Sequence, residues 1–184
     1  MRPESFARWS PETPRKHTDF TVRLGTEADV EACVQLVVAI GAGEEAAWRQ
    51  TLTRTVRDGQ RRALFVAEAC VQVAGYGRAV CTEADPAVPA SAPSGWYLLG
   101  LIVDQAWRRR GIGEALTRAR MAWVSERSQR LYYFTSHRNL ASQALHKRLG
   151  FTEIPGTWIP PGGRPEDAPS QQFYCADLDR PDRS

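Results

Sequence analysis

The sequence predicts an α/β chain built on one mixed sheet, and three observations lead there. Segments with a two-residue hydrophobic period alternate with segments of helical period along most of the chain. All twelve prolines fall in residues 3–14, 86–93, 155–169 or at Pro181, which leaves two long proline-free blocks, 15–85 and 94–154, for regular structure. Inside the second block stands "WYLLGLIVD", an apolar run that reads as a strand buried on both faces. At 184 residues this is most simply one domain, 19–180, preceded by a loosely ordered extension, 1–18, in which Phe6 and Trp9 could dock on a neighbour.

The elements follow in order. Phe20 to Leu24 alternates as a short strand. Thr26 offers an N-cap with Asp29 three residues on, and Val30, Cys33, Val34, Val37 and Val38 form a helical stripe that Gly41 and Gly43 end. A second helix from about Glu44 to Asp58 carries Ala47, Leu52 and Val56. Two strands, Ala63–Glu68 and Val73–Cys81, stand close enough to pair as a hairpin. After the loop "ADPAVPASAPSG" come the apolar strand and a turn, "RRRGIG". A helix then runs from Gly113 to about Arg127, with Leu116, Ala119, Ala122 and Trp123 facing inward. "LYYFTS" is a strand, and Asn139–Leu149 a helix with Leu140, Ala144, Leu145 and Leu149 on one side. Phe151–Trp158 and Gln171–Leu178 close the chain as two strands around a glycine- and proline-rich loop.

Composition narrows the function. Hydrophobic residues at 42% and charged residues at 24% are ordinary for a globular protein, and a net charge of +3 is too small to argue for nucleic acid. No stretch approaches the roughly 18–20 apolar residues of a membrane helix, and "MRPESFARWSPETPRKHTD" lacks the apolar core of a secretory signal. Cys33, Cys70, Cys81 and Cys175 form no C-x-x-C pair, so they read as small buried hydrophobes in a reducing compartment, with no metal site. The cytoplasm is the expected location.

The turn "WRRRGIGEAL" carries the chemistry. Backbone N–H groups at the start of a helix lack internal partners and the helix dipole is positive there, so an anion belongs at that place. Gly111 and Gly113 let backbone approach a ligand, and Arg108, Arg109 and Arg110 supply charge and forked donors for phosphate oxygens. A dinucleotide fingerprint needs a third glycine where Leu116 stands, and a P-loop needs Gly-Lys-Ser/Thr, which is absent. Arg118, Arg120, Arg127 and Arg130 read as a solvated helix face rather than a nucleic-acid patch.

"VDQAWRRRGIGEAL" resembles the acyl-CoA-binding motif of the Gcn5-related N-acetyltransferase (GNAT) superfamily, Gln/Arg-x-x-Gly-x-Gly/Ala, with Arg108, Gly111 and Gly113 at its three positions. "NLASQALHKRLGF" is similar to the same family's second signature, matched by Asn139, Leu145, Gly150 and Phe151. The resemblance spans roughly residues 19–178. It implies a mixed, mostly antiparallel sheet flanked by helices and splayed after the fourth strand, with acetyl-CoA as co-substrate. It places Leu101, Ile102 and Val103 along the pantetheine arm, Arg108, Arg109, Arg110, Gly111, Ile112 and Gly113 on the pyrophosphate, and Asn139 near the pantetheine amide. It also implies a homodimer.

Acetyl transfer needs a neutral amine, a polarised thioester and a stabilised or protonated leaving thiolate. In the family a tyrosine after the signature leucine is commonly assigned as the acid. His146 stands there, and a histidinium could serve; the alternative is a packing residue. Glu83 is the candidate base, directly or through water, set against a solvated loop carboxylate. Tyr97 and Ser136 are further candidates on the acceptor side. The loops that would enclose the acceptor hold Glu44, Glu45, Glu83, Asp85, Glu166 and Asp167 with Trp48, Trp96 and Trp158, which suits a small cationic amine. The style of both signatures is similar to the aminoglycoside N-acetyltransferases. A protein-acetylating enzyme or a non-catalytic acyl-CoA-binding module are the alternatives.

Overall fold

The computed structural model describes residues 20–179, and there the alternating segments become seven strands and four α-helices. In chain order these are β1 (Thr21–Leu24), α1 (Val30–Ala39), α2 (Glu45–Arg57), β2 (Arg62–Ala69), β3 (Gln72–Thr82), β4 (Gly95–Val103), α3 (Ile112–Ser125), β5 (Arg130–Ser136), α4 (Leu140–Arg148), β6 (Thr152–Ile154) and β7 (Gln171–Asp177). The extension with Phe6 and Trp9 lies outside the described residues.

The strands form one sheet in the order β1-β2-β3-β4-β5-β7-β6. Every neighbouring pair is antiparallel except β4 and β5, which run parallel. That pairing is short: Trp96, Tyr97 and Leu98 oppose Leu131, Tyr132 and Tyr133, after which the two strands part. Just beyond, three steps of β4 (Leu99 to Ile102) oppose two steps of β3 (Arg78 to Tyr76), a bulge accommodated by Gly100 at φ +59°. Only glycine takes that left-handed angle without strain.

Helices cover both faces of the sheet. On one, Cys33, Val34, Val37 and Leu52 of α1 and α2 bury against Leu64, Val66 and Tyr76. On the other, Ile112 and Leu116 of α3 pack on Phe65, Ala67 and Ala74, while Val124 and Leu149 pack on Leu98, Leu131 and Tyr133. Each wholly buried leucine or isoleucine contributes roughly 1.5–3 kcal/mol of apolar transfer to this arrangement.

Several expectations change on contact with the tertiary structure. The apolar run of β4 is enclosed only over Trp96–Leu98; Leu99–Val103 are half-exposed because β5 has left their side. The buried stripe of α3 is Ile112, Leu116, Arg120 and Val124, so Arg120 is interior rather than solvated, and Ala122 faces solvent. On α4 the buried position is His146, while Leu140 is 58% exposed. β6 ends at Ile154 because Pro155 has no N–H to give the ladder. Cys33 is buried as expected, but Cys70 is exposed in the β2–β3 turn, where Cys70 and Val71 both take positive φ. Among the described residues no helix is long and apolar enough to cross a membrane.

Candidate active site

The parting of β4 from β5 opens a cavity of about 890 Å³. Its floor is Leu98–Val103, its far wall Tyr133–Asn139, and its mouth Arg108, Arg109, Ile112 and Gly113; Arg110 and Gly111 of the same turn are not part of the lining. The α1–α2 link contributes Ile40, Ala42 and Trp48. Beyond Leu98 the β4 edge facing the gap has no strand partner, so its backbone donors and acceptors are available to an extended ligand.

The turn is built locally. Asp104 Oδ1 accepts from Ala106 N at 2.7 Å and the Asp104 carbonyl accepts from Trp107 N, which folds a single 3-10 turn after β4. Arg108 Nε donates to the Val103 carbonyl at 3.1 Å, and the Arg110 guanidinium lies over the Trp107 ring. Arg109 and Gly111 take φ of +65° and +89°, and nothing lies within 4 Å of where a Cβ on Gly111 would stand. Gly111 is therefore required by its backbone angle, and the space over it is open to a ligand. Leu101, Ile102, Val103, Arg108, Arg109, Ile112, Gly113 and Asn139 all line the cavity. Asn139 is the α4 N-cap, its Oδ1 accepting from Ser142 N at 3.3 Å. An open cradle at a helix start, arginines beside it and an unpaired strand edge leading away fit a pyrophosphate with an extended arm.

His146 lines the inner cavity wall and is 1% exposed. Its ring stacks on Tyr133 at 3.6 Å between centroids, with Phe151 edge-on at 5.2 Å. Nδ1 lies 2.8 Å from the Ser142 carbonyl oxygen. A carbonyl only accepts, so Nδ1 carries the hydrogen and Nε2 is bare; Nε2 is buried without a partner among the described residues. Burial, reinforced by the charge of Arg120, pushes the imidazole pKa down to about 3. At neutral pH this residue is a neutral acceptor, not the histidinium that the sequence suggests.

Glu83, Glu45, Glu166 and Asp85 do not line the cavity that His146 lines. Glu83 is exposed just past β3 and pairs with Arg61 at 2.8 Å. Glu45 pairs with Arg49, Glu166 with Arg164, and Asp85 accepts from Ala87 N. Among the described residues no carboxylate lies on the cavity wall. Of the three tryptophans, Trp48 lines the cavity, Trp96 packs on Trp123 in the core, and Trp158 packs beside Phe173 and Tyr97. Ser136 lines the cavity, whereas the Tyr97 hydroxyl donates to the Pro93 carbonyl.

Sequence reasoning missed two buried arginines. Arg120 lines the cavity with its guanidinium laid on β3, where a Cβ on Gly77 would stand 2.8 Å away. It donates to the carbonyls of Leu116 and Arg78 and to Thr117 Oγ1. Burial lowers its pKa to about 9, with the charge of Arg78 adding to the effect. Arg78 lies between Tyr76 and Val80 on the buried side of β3. The signal was present: Arg120 continues the i, i+4 series Ile112–Leu116–Arg120–Val124, and Arg78 the alternation Tyr76–Arg78–Val80.

Comparison with known proteins agrees with this geometry. No curated protein sequence matches the chain. The solved structure of a ribosomal-protein-alanine N-acetyltransferase from Brucella melitensis superposes with a TM-score of 0.66 at 25% identity, covering 86% of this chain and 99% of the other. A GNAT-family acetyltransferase from Bacillus cereus gives a TM-score of 0.63 at 16% identity, covering 88% and 99%. The yncA protein of Salmonella typhimurium, determined with its cofactor acetyl-CoA, gives 0.65 at 17% identity, covering 89% and 96%. The model of the acetyltransferase (GNAT) family matches residues 34–151, from α1 through both signature segments to the start of β6. The chain belongs to that family and is an acetyl-CoA-dependent N-acetyltransferase.

Proposed function

We propose that this enzyme acetylates a primary amine of a small molecule held inside the cavity between β4 and β5, by direct attack on the thioester. The observation that carries this reading is the gap itself, lined by the arginine–glycine turn and by Trp48, Ile40 and Ala42. Leu101, Ile102 and Val103 offer backbone to the pantetheine arm. Arg108, Arg109, Arg110 and the Gly111–Gly113 backbone hold the pyrophosphate, and Asn139 borders the arm from α4.

The cavity wall is cationic, with Arg108, Arg109, Arg120 and Arg138 and no acid among the described residues. Like charges disfavour an ammonium, so the site itself releases the acceptor's proton and presents a neutral nucleophile. The same field steadies the departing thiolate, which takes the proton that the amine nitrogen loses as the amide forms. Proximity supplies much of the rest. His146, as a neutral imidazole, accepts a hydrogen bond at Nε2 and orients the arm; we assign no proton donation to it and no step to Glu83.

An aminoglycoside was the acceptor class suggested by the loop acids, of which Glu45, Glu83 and Glu166 pair with surface arginines and Asp85 with the Ala87 backbone. It therefore enters as one arm of the test. Thiol release from acetyl-CoA should be measured against aminoglycosides, polyamines, amino acids and short peptides. Turnover of a small amine with one acetylated nitrogen by mass spectrometry supports the reading. Turnover confined to peptides would move the function to protein acetylation, and tight acetyl-CoA binding without any turnover would leave a binding module.

A further inference from the structure

Arg78 is 8% exposed, yet among the described residues its side chain has no ion pair, and its buried Nε has no hydrogen-bond partner. The guanidinium lies over an aromatic face, 5.3 Å from the Trp48 ring centroid. Tyr76, on the same face of β3, also keeps its hydroxyl buried with no partner among the described residues. A buried charge left without a counter-charge is costly, and a buried N–H left unmatched adds to that cost. Such a group persists where a ligand completes it.

Its position says which ligand. Arg78 opposes Leu99, where β4 and β5 have just parted, so it marks the closed end of the gap. Its Nε lies 3.4 Å from where a Cβ on Gly100 would stand, and both Gly100 and Trp48 line the cavity. The pyrophosphate turn lies beyond Val103, about 13 Å further along the strand at roughly 3.3 Å per residue, and leads into α3 on the opposite face of the sheet. Arg78 is on the α1–α2 side with Trp48. It is thus placed for the acceptor rather than for the cofactor's phosphates.

We propose that Arg78 binds an anionic group of the acceptor, and that the acceptor is an amino acid whose carboxylate pairs with this guanidinium while its amine meets the thioester. This rests on the acetyltransferase reading above and narrows its substrate class. A planar guanidinium matches a carboxylate through two parallel N–H···O bonds, and the pair neutralises the buried charge. A polycation would add to that charge.

The test uses the full chain with acetyl-CoA at saturation. The probes are the twenty L-amino acids, their carboxamides, their decarboxylated amines, spermidine and kanamycin. At least one amino acid should be acetylated, with kcat/KM at least 30-fold above that of its carboxamide. Arg78→Met should raise the KM for that amino acid by at least 30-fold, leave the KM for acetyl-CoA unchanged and not lower Tm. Arg78→Lys, which keeps the charge without the fork, should fall between. A carboxamide, spermidine or kanamycin used as well as any amino acid overturns the proposal while leaving the N-acetyltransferase intact. So does a lower Tm for Arg78→Met with acceptor KM unchanged, which would make the residue structural. Failure to bind acetyl-CoA at all would overturn the underlying reading, and this one with it.

Discussion

Lowering the pH should expose the charge state of His146 directly. The imidazole has a pKa of about 3 in the folded protein against 6.5 when unfolded. Between those values the unfolded chain carries the proton and the folded chain does not, so falling pH favours unfolding. His146 is thus stabilising as a neutral group above pH 6.5, and that stability is lost progressively as pH falls toward 3. At pH 5 the difference amounts to about 2 kcal/mol. His146→Phe keeps a ring stacked on Tyr133 and removes a buried unpartnered nitrogen, so near pH 7.5 it should unfold within about 1 kcal/mol of wild type. Urea unfolding of both proteins at pH 7.5 and 5 isolates the residue, since every other titration is shared. Wild type should lose about 2 kcal/mol more than the variant over that interval. Parallel pH dependences, or an NMR titration of this ring near 6.5, would refute the reasoning. The same variant should keep kcat within about tenfold; a loss of 10²-fold or more would restore a proton-donating role.

Gly111→Val places a β-branched residue at φ +89°, costing about 1–3 kcal/mol in unfolding free energy and weakening acetyl-CoA binding by calorimetry; a variant that binds normally would contradict the cradle. Gly77→Ala sets a Cβ 2.8 Å from a guanidinium held by three hydrogen bonds, so it should destabilise by about 1–3 kcal/mol; an unchanged Tm would mean that Arg120 can move aside. Asn139→Ala removes the α4 N-cap and should cost about 1 kcal/mol with a higher KM for acetyl-CoA. No change in either would deny it both roles.

Much of this protein is legible in one dimension. The proline-free blocks, the periods of two and 3.6, and the Arg–Gly turn between a strand and a helix place most of the elements to within a few residues. They also pick out the cradle proposed for the cofactor, because an anion site at a helix start is made by adjacent residues. What the sequence could not determine depends on what packs across from a residue. Arg120 and Arg118 differ by two positions on α3, yet one lies against β3 and the other in solvent. His146 is a surface-type residue by composition and an interior one because Tyr133 and Phe151 close over it, which sets its charge. The carboxylates of Glu45, Glu83 and Glu166 point to a cationic acceptor only until their arginine partners, 2 to 22 residues away, are located. Local patterning dictates backbone shape, but the charge and partners of a side chain follow from the solvent and neighbours that the fold leaves it, and only the tertiary structure decides those.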